Sequence, residues 1–221
     1  MKDKLMKFIG KKPVSEHKLP EEYTTKDIKE LLKENEKLKT QTSEKLLECF
    51  QTRRSIHKFE TEKKVPWKDI YKIIEAGSGA PAAGNVQNYQ FIVVSDPTTK
   101  REIGNRFGQQ YWISDASTLI LVLRDDYHLR KMFPESGEKL CIQNISVVVE
   151  NMLMAAHIMG YGSCWVAAND TQLVKDYLEI PAEIYLETIL PVGYSLEIPK
   201  IKKEDIVSKI DFDKFGNKVR K

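Results

Sequence analysis

The chain has too few cysteines to be stapled and too little net charge to be drawn to a polyanion. Cys49, Cys141 and Cys164 are odd in number and far apart, which argues against a disulfide framework and against a cysteine-based metal cluster. Its 35 Lys and Arg residues stand against 32 Asp and Glu, for a formal charge of +3. That balance calls for neither nucleic acid nor a membrane surface as a partner. No apolar run is read as long enough to span a bilayer, and the start MKDKLMKFIG has no signal-peptide core. No GxGxxG stands at a strand end, so no separate dinucleotide-binding domain is expected. These absences lead to the expectation of a cytosolic globular protein. With 221 residues, 41% hydrophobic and 30% charged, there is chain enough for one sizeable core.

Residues 1–42 are rich in Lys and Glu and poor in aromatics, and they read as an extension to a domain spanning 43–221. Thr24 is placed to cap a helix that carries Ile28, Leu31, Leu32 and Leu38 on a narrow stripe. Such a helix suits a solvated arm laid loosely on the domain, or one reaching onto a partner subunit. From Ser43, the residues Leu46, Leu47 and Phe50 mark a short amphipathic helix that runs out at QTRRSIHKF, 51–59. If that segment is extended, Arg53, Ser55 and His57 share one face while Arg54 and Ile56 point away. A guanidinium, a hydroxyl and an imidazole side by side can grip a phosphate. A solvated basic surface is the competing reading.

Pro66 then opens a helix with Trp67, Ile70, Ile73 and Ile74 at helical spacing, and Gly77 stops it. The next stretch, GSGAPAAGNVQNYQFIVVSD at 77–96, has two halves. The first is a loop of small residues with little side-chain bulk between its backbone and anything laid against it. Its amides, on Asn85, Gln87 and Asn88, suit a flat, polar-edged ligand, although a plain helix-to-strand connection explains the glycines equally well. The second, Gln90–Val94, reads as a buried strand. Leu119–Leu123 is a further strand. Residues 138–160 form an apolar helix through Ile142, Ile145, Val148, Met152, Ala155 and Met159. On it His157 is read as an interior histidine. Ser163–Ala168 is read as a strand, and Cys164 as a small buried residue rather than a redox thiol.

RRSIH at 53–57, the proline-started helix, and APAAGNVQ at 80–87 leading into a strand together resemble the nitroreductase family of FMN-dependent oxidoreductases. Further matches come in order: GQQYWI at 108–113, GYGSCW at 160–165, EIP at 179–181 and PVGY at 191–194. The resemblance spans residues 43–210. It implies an α+β sandwich with a central, mainly antiparallel sheet flanked by helices, assembled as a homodimer through the apolar helix. It also implies FMN as cofactor and NAD(P)H as donor. In the implied ping-pong cycle, an electron-poor small-molecule acceptor such as a nitroaromatic or quinone replaces the donor over the flavin.

Carried over residue by residue, the resemblance puts Arg53, Arg54, Ser55 and His57 at the phosphate and ribityl chain. Pro81, Ala82, Ala83, Gly84, Asn85 and Gln87 lie along the ring edge, with Gly162 and Ser163 beneath it. Lys200 or Lys202 closes on the phosphate. No side chain stands out as a general acid or nucleophile, as a flavin-mediated reaction allows. The sequence departs from the family at several points. His57 stands where Arg or Lys is usual and makes that contact pH-dependent. Ala82 replaces a serine, and the terminal lysines act as point charges without a bidentate fork. Two other classes fit the same segments. One is a dehalogenase, flavin-fragmenting enzyme or azoline oxidase, set apart by residues 124–137. The other is a non-catalytic flavin-binding protein that uses the extension as its contact surface.

Overall fold

The structure is a computed structural model, and it describes residues 25–108, 110–167, 171–200 and 204–218. The chain divides into two compact units, Met1–Glu48 and Cys49–Lys221. Helix α1, Thr25–Thr52, begins in the first and ends in the second; Thr24, assigned as its cap, lies outside the described residues. It is one helix where the sequence pattern suggested two, and the reason lies in the polar stretch at its middle. The hydroxyls of Thr40, Thr42 and Ser43 donate to the carbonyls of Glu36, Leu38 and Lys39 at 3.0, 2.8 and 2.9 Å. They bond back along the helix instead of breaking it. Leu46, Leu47 and Phe50 of α1 are exposed.

In the second unit, among the described residues, four strands form one sheet in the order β1-β2-β4-β3. They are β1 Tyr89–Val94, β2 Thr118–Arg124, β3 Gly162–Ser163 and β4 Tyr185–Gly193, every paired neighbour antiparallel. Strand β2 is buried along its whole length and alternates between two cores. Leu119, Leu121 and Leu123 enter one, with Ile103, Phe107, Ile113 and Val174; these come from α3 (Pro97–Arg106) and its C-cap Phe107, a 3-10 turn at Tyr111–Asp115, and α6 (Gln172–Tyr177). Ile120 and Val122 enter the other, with Ile70 and Ile73 of α2 (Trp67–Ser78) and Ile145, Val149 and Met152 of α5 (Gly137–Ile158). This is the expected α+β sandwich. A bulge in β4 at Glu187, opposite Val122 and Leu123, lets Leu186 and Ile189 share the first core.

Local chemistry explains the helix ends. Asp96 caps α3 by accepting from the Thr99 amide at 2.7 Å, with Pro97 in the first turn. Lys100 is buried, and its ammonium donates to the carbonyls of Ala116 and Ser117; burial holds its pKa below the usual lysine range.

Several expectations need correcting. Ile142, assigned to the buried apolar helix α5, is exposed, and Trp67, at helical spacing with the isoleucines of α2, is 63% exposed. Strand β1 is only partly buried, as the edge of the sheet. In the stretch read as a strand over Ser163–Ala168, β3 ends at Ser163 and only an isolated bridge from Val166 to Ile189 continues it; Ala168 lies outside the described residues. Helix α5 is long and apolar enough, by length and composition alone, to cross a bilayer, contrary to the sequence reading. Half of its most apolar window is buried in the fold, and it serves there as a core helix.

Gly77 sets how closely α2 and α5 approach, because a Cβ there would lie 2.7 Å from Met152 Cγ and 3.2 Å from Val148. Gly77→Val is expected to destabilise the protein by about 1–3 kcal/mol through overpacking. At Gly79 the nearest atom to an added Cβ is 3.4 Å away, and Gly79→Ala is expected to stay within ~0.5 kcal/mol of wild type. Urea midpoints at unchanged slope would check both.

Candidate functional site

Where α1 ends, the chain turns and runs beside β3. The Ile56 amide donates to the Ser163 carbonyl at 3.1 Å, and Ser55 and Ser163 form a parallel bridge. A Cβ at Gly162 would sit 3.0 Å from Ile56, so glycine is what allows the basic segment to close on the sheet. Between this segment, the C-terminal end of α5 and the stretch after β4 lies a cleft of about 350 Å³. Arg53, Arg54, Gly162 and Ser163 line it. So do Thr52, His157, Tyr161 and Glu197, four residues not assigned to a site from the sequence.

Both arginines therefore face one cleft, where alternation had placed them on opposite faces. Arg53 still bonds helically to the Cys49 carbonyl at 3.0 Å, so strand periodicity has not begun there. Arg53 makes a loose ion pair with Glu150 at 3.7 Å. Arg54 Nη1 donates to the carbonyls of Gln51 and Arg53 at 2.6 and 2.8 Å, closing the end of α1. His157 is half-buried in the cleft wall rather than interior, with Nε2 3.0 Å from Thr52 Oγ1. Burial, then Arg53 and Arg54, holds its pKa below the usual histidine value.

Glu197 ties the C-terminal segment down. Its Oε1 accepts from the amides of His57 and Lys58 at 2.7 and 3.2 Å and lies 4.0 Å from His57 Nδ1. On its other side the His57 ring places Nε2 3.6 Å from Cys164 Sγ and packs edge-on against Trp112, with centroids 4.7 Å apart. Cys164 is buried as expected, and Ser55 also hydrogen-bonds its sulfur. Lys200 lines an adjoining hollow with Thr52, Arg54 and Pro199. Lys202 lies outside the described residues.

The small-residue loop is elsewhere. Gly84 and Asn85 both adopt left-handed conformations, at φ 59° and 55°, which suits glycine and is tolerated by asparagine. Gln87 braces the turn by donating to the Asn85 carbonyl at 2.9 Å. Asn144 of α5 holds the loop in place: it accepts from the Ala83 amide at 2.8 Å and donates to the Val86 carbonyl at 3.2 Å and Asn88 Oδ1 at 3.1 Å. Its position, three residues after Cys141 and four before Val148 on the buried face of the helix, was the available signal for it. Asn144 and His157 are thirteen residues apart on α5, or about 20 Å at helical rise. Within one chain the loop carrying Pro81, Ala82 and Asn85 is thus not brought to the cleft of Arg53 and Gly162.

Residues 124–137, without a readable pattern in the sequence, form a pinned lid beside that loop. Arg124 is buried between Asp126 at 2.7 Å and Glu187 at 2.8 Å, under the Tyr185 ring. Asp126 also receives Arg130 of α4 (Tyr127–Met132) at 3.3 Å. This network holds Met132 and Phe133 over Gly84, 3.1 and 3.7 Å from where its Cβ would be.

The chain matches the family model described as "Nitroreductase family" over residues 50–117 and 104–194; it belongs to the nitroreductase family. It is 32% identical over 165 residues to a protein of Archaeoglobus fulgidus named as an NADH dehydrogenase/NAD(P)H nitroreductase, covering 73% of this chain and 89% of that one. It is 24% identical over 178 residues to an FMN reductase (NADPH) of Bacillus subtilis, covering 72% and 71%. A crystal structure of a nitroreductase family protein from Clostridium novyi superposes with a TM-score of 0.63 at 25% identity, covering 78% of this chain and 95% of the other.

Thiol chemistry tests the environment of the cleft. Burial pushes the Cys164 thiol up, and burial with a hydrogen bond to Asp126 pushes Cys141 up to about 12. Cys49 is half-buried. Near pH 8 an aromatic disulfide reagent is expected to titrate roughly one thiol in the native protein and all the cysteines after denaturation; fast native labelling of more than one would contradict the buried environments.

Proposed function

We propose that the chain is a homodimeric FMN enzyme that carries electrons from NAD(P)H to an electron-poor small-molecule acceptor. The observation that carries this reading is the pairing of a cleft holding two guanidinium groups and close-lying strand backbone with a rigid loop of small residues. The first suits the phosphate end of a flavin nucleotide and the second suits the edge of its ring. The names of the relatives, an FMN reductase (NADPH) among them, support the same cofactor and donor.

Arg53 would exchange its loose pair with Glu150 for the phosphate, a charge-assisted contact. Ser55 and His57 would follow along the ribityl chain, Gly162 and Ser163 would supply backbone beneath the ring, and Lys200 would approach from its adjoining hollow. When bound, the flavin supplies the hydride chemistry; the protein binds it, orients it and excludes water.

The separation of cleft and loop along α5 supports a two-fold assembly. Two α5 helices laid antiparallel would bring the loop of a second copy, with its Pro81, Ala82, Ala83, Gly84, Asn85 and Gln87, to the cleft of the first. Exposed apolar residues such as Val147 and Ile158 on α5 and Phe50 on α1 are surface that such an assembly would cover. Met132 and Phe133 would then stand over the acceptor.

The purified protein is expected to show a flavin spectrum that bleaches anaerobically with NADH or NADPH and recovers with a nitroaromatic or quinone. A colourless protein that cannot be reconstituted with FMN would overturn the reading. Arg53→Ala removes a charged hydrogen bond, a loss of about 1.5–3 kcal/mol or roughly tenfold and more in FMN affinity; a variant that purifies fully loaded would refute the phosphate assignment.

A further inference from the structure

The cleft offers a phosphate less positive charge than its two arginines imply. Arg53 already faces Glu150, Arg54 donates to two main-chain carbonyls, and Glu197 brings a second carboxylate into the lining. His157 stands in the same wall, on the last turn of α5, with Nε2 3.0 Å from Thr52 Oγ1. We infer that His157 is a third ligand of the phosphate and that it takes up one proton from solvent as the phosphate binds. This rests on the FMN reading above and deepens it.

The charged and titratable groups around His157 come from each neighbouring element. Arg53 and Arg54 follow α1, Glu150 lies two turns back on α5, Tyr161 follows α5, and Glu197 and Lys200 belong to the segment after β4. Before the anion binds, burial and then the two arginines hold the imidazole's pKa below the usual histidine value and so favour its neutral form. A phosphate carrying up to two negative charges reverses the sign of that local field, because an opposite charge within a few ångströms favours the protonated ring. Once protonated, the imidazole has a donor on both ring nitrogens, and the one not facing Thr52 is available to the phosphate.

This gives the pH dependence its sign. The histidine's pKa is higher in the complex than in the free protein. Its contribution to binding is therefore complete below the free-protein value and is lost as pH rises through the value in the complex. The proton is transferred from buffer to imidazole, and no bond in the nucleotide changes.

The test is titration calorimetry of the full-length protein with FMN and with riboflavin, in two buffers of different ionisation enthalpy, for wild type and His157→Gln. Near pH 7.5, wild type is expected to take up as much as about one more proton than the variant on binding FMN, and no more than the variant on binding riboflavin. The wild-type advantage in FMN affinity is expected to grow at least about fivefold between roughly pH 8.5 and pH 6. Equal proton uptake by the two proteins, or the same excess with riboflavin, overturns the role of His157 and leaves the FMN reading standing. No FMN binding by wild type overturns both. Should His157→Gln fail to fold, the imidazole resonance of native His157 serves instead: its titration midpoint must rise when FMN is added, and an unmoved midpoint refutes the proposal.

Discussion

The burial of β2 on both of its faces is the constraint on which the rest of this fold depends. Seven consecutive residues, Thr118–Arg124, are hidden from solvent, so each face must be covered by helices and each edge by another strand. Alternation sends Leu119, Leu121 and Leu123 to one core and Ile120 and Val122 to the other, and a one-residue slip would exchange the two sets. The register therefore fixes which helices lie on which side. It also fixes where β2 stops, at the buried Arg124 that carries the ion-pair network under the lid. Removing one partner of such a network leaves an uncompensated buried charge, so the lid is held by the same strand that organises the core.

Much of this was legible in the chain because the signals were periodic or local. The apolar spacing of 138–160 gave α5, the proline at 66 gave the start of α2, and the β-branched run at 90–94 gave β1. The basic cluster at 53–57 and the small-residue loop at 80–87 were each recognisable alone. What could not be read was where one lies relative to the other. The loop is tied to α5 at Asn144 and the cleft is walled by its last turn at His157, and only the three-dimensional path shows that the cleft lining of a single chain includes none of the loop. Glu197 was hidden for a similar reason: its partners are the backbone amides of residues 57 and 58, about 140 positions away in sequence. His157 was misjudged because a histidine on an apolar helix looks interior until the end of that helix proves to be a cleft wall. The continuity of α1 depended on hydroxyls bonding back to their own helix, which composition does not distinguish from a polar linker.

Electrostatics in the cleft are balanced rather than strongly positive. Arg53 is paired with Glu150, Arg54 is engaged by main-chain carbonyls, and Glu197 adds a carboxylate to the lining. Such a site discriminates by geometry more than by charge, because an anion must displace existing partners and replace their hydrogen bonds to gain affinity. Rigidity comes from the surroundings: Glu197 clamps the chain after β4 to the basic segment, and Trp112 and Cys164 confine the His57 ring.

The basic segment has a second duty. Running beside the two-residue strand β3, it gives Ser163 its backbone partner through the Ile56 amide, and further along the Glu60 amide reaches the Tyr194 carbonyl at 2.9 Å. The residues that face the anion cleft on one side thus cover the margin of the sheet on the other. An uncovered margin is a template for pairing with another chain. Substitutions that loosen residues 53–57 therefore uncover a sheet margin as well as reshaping the cleft, and solubility becomes a property of the same short segment.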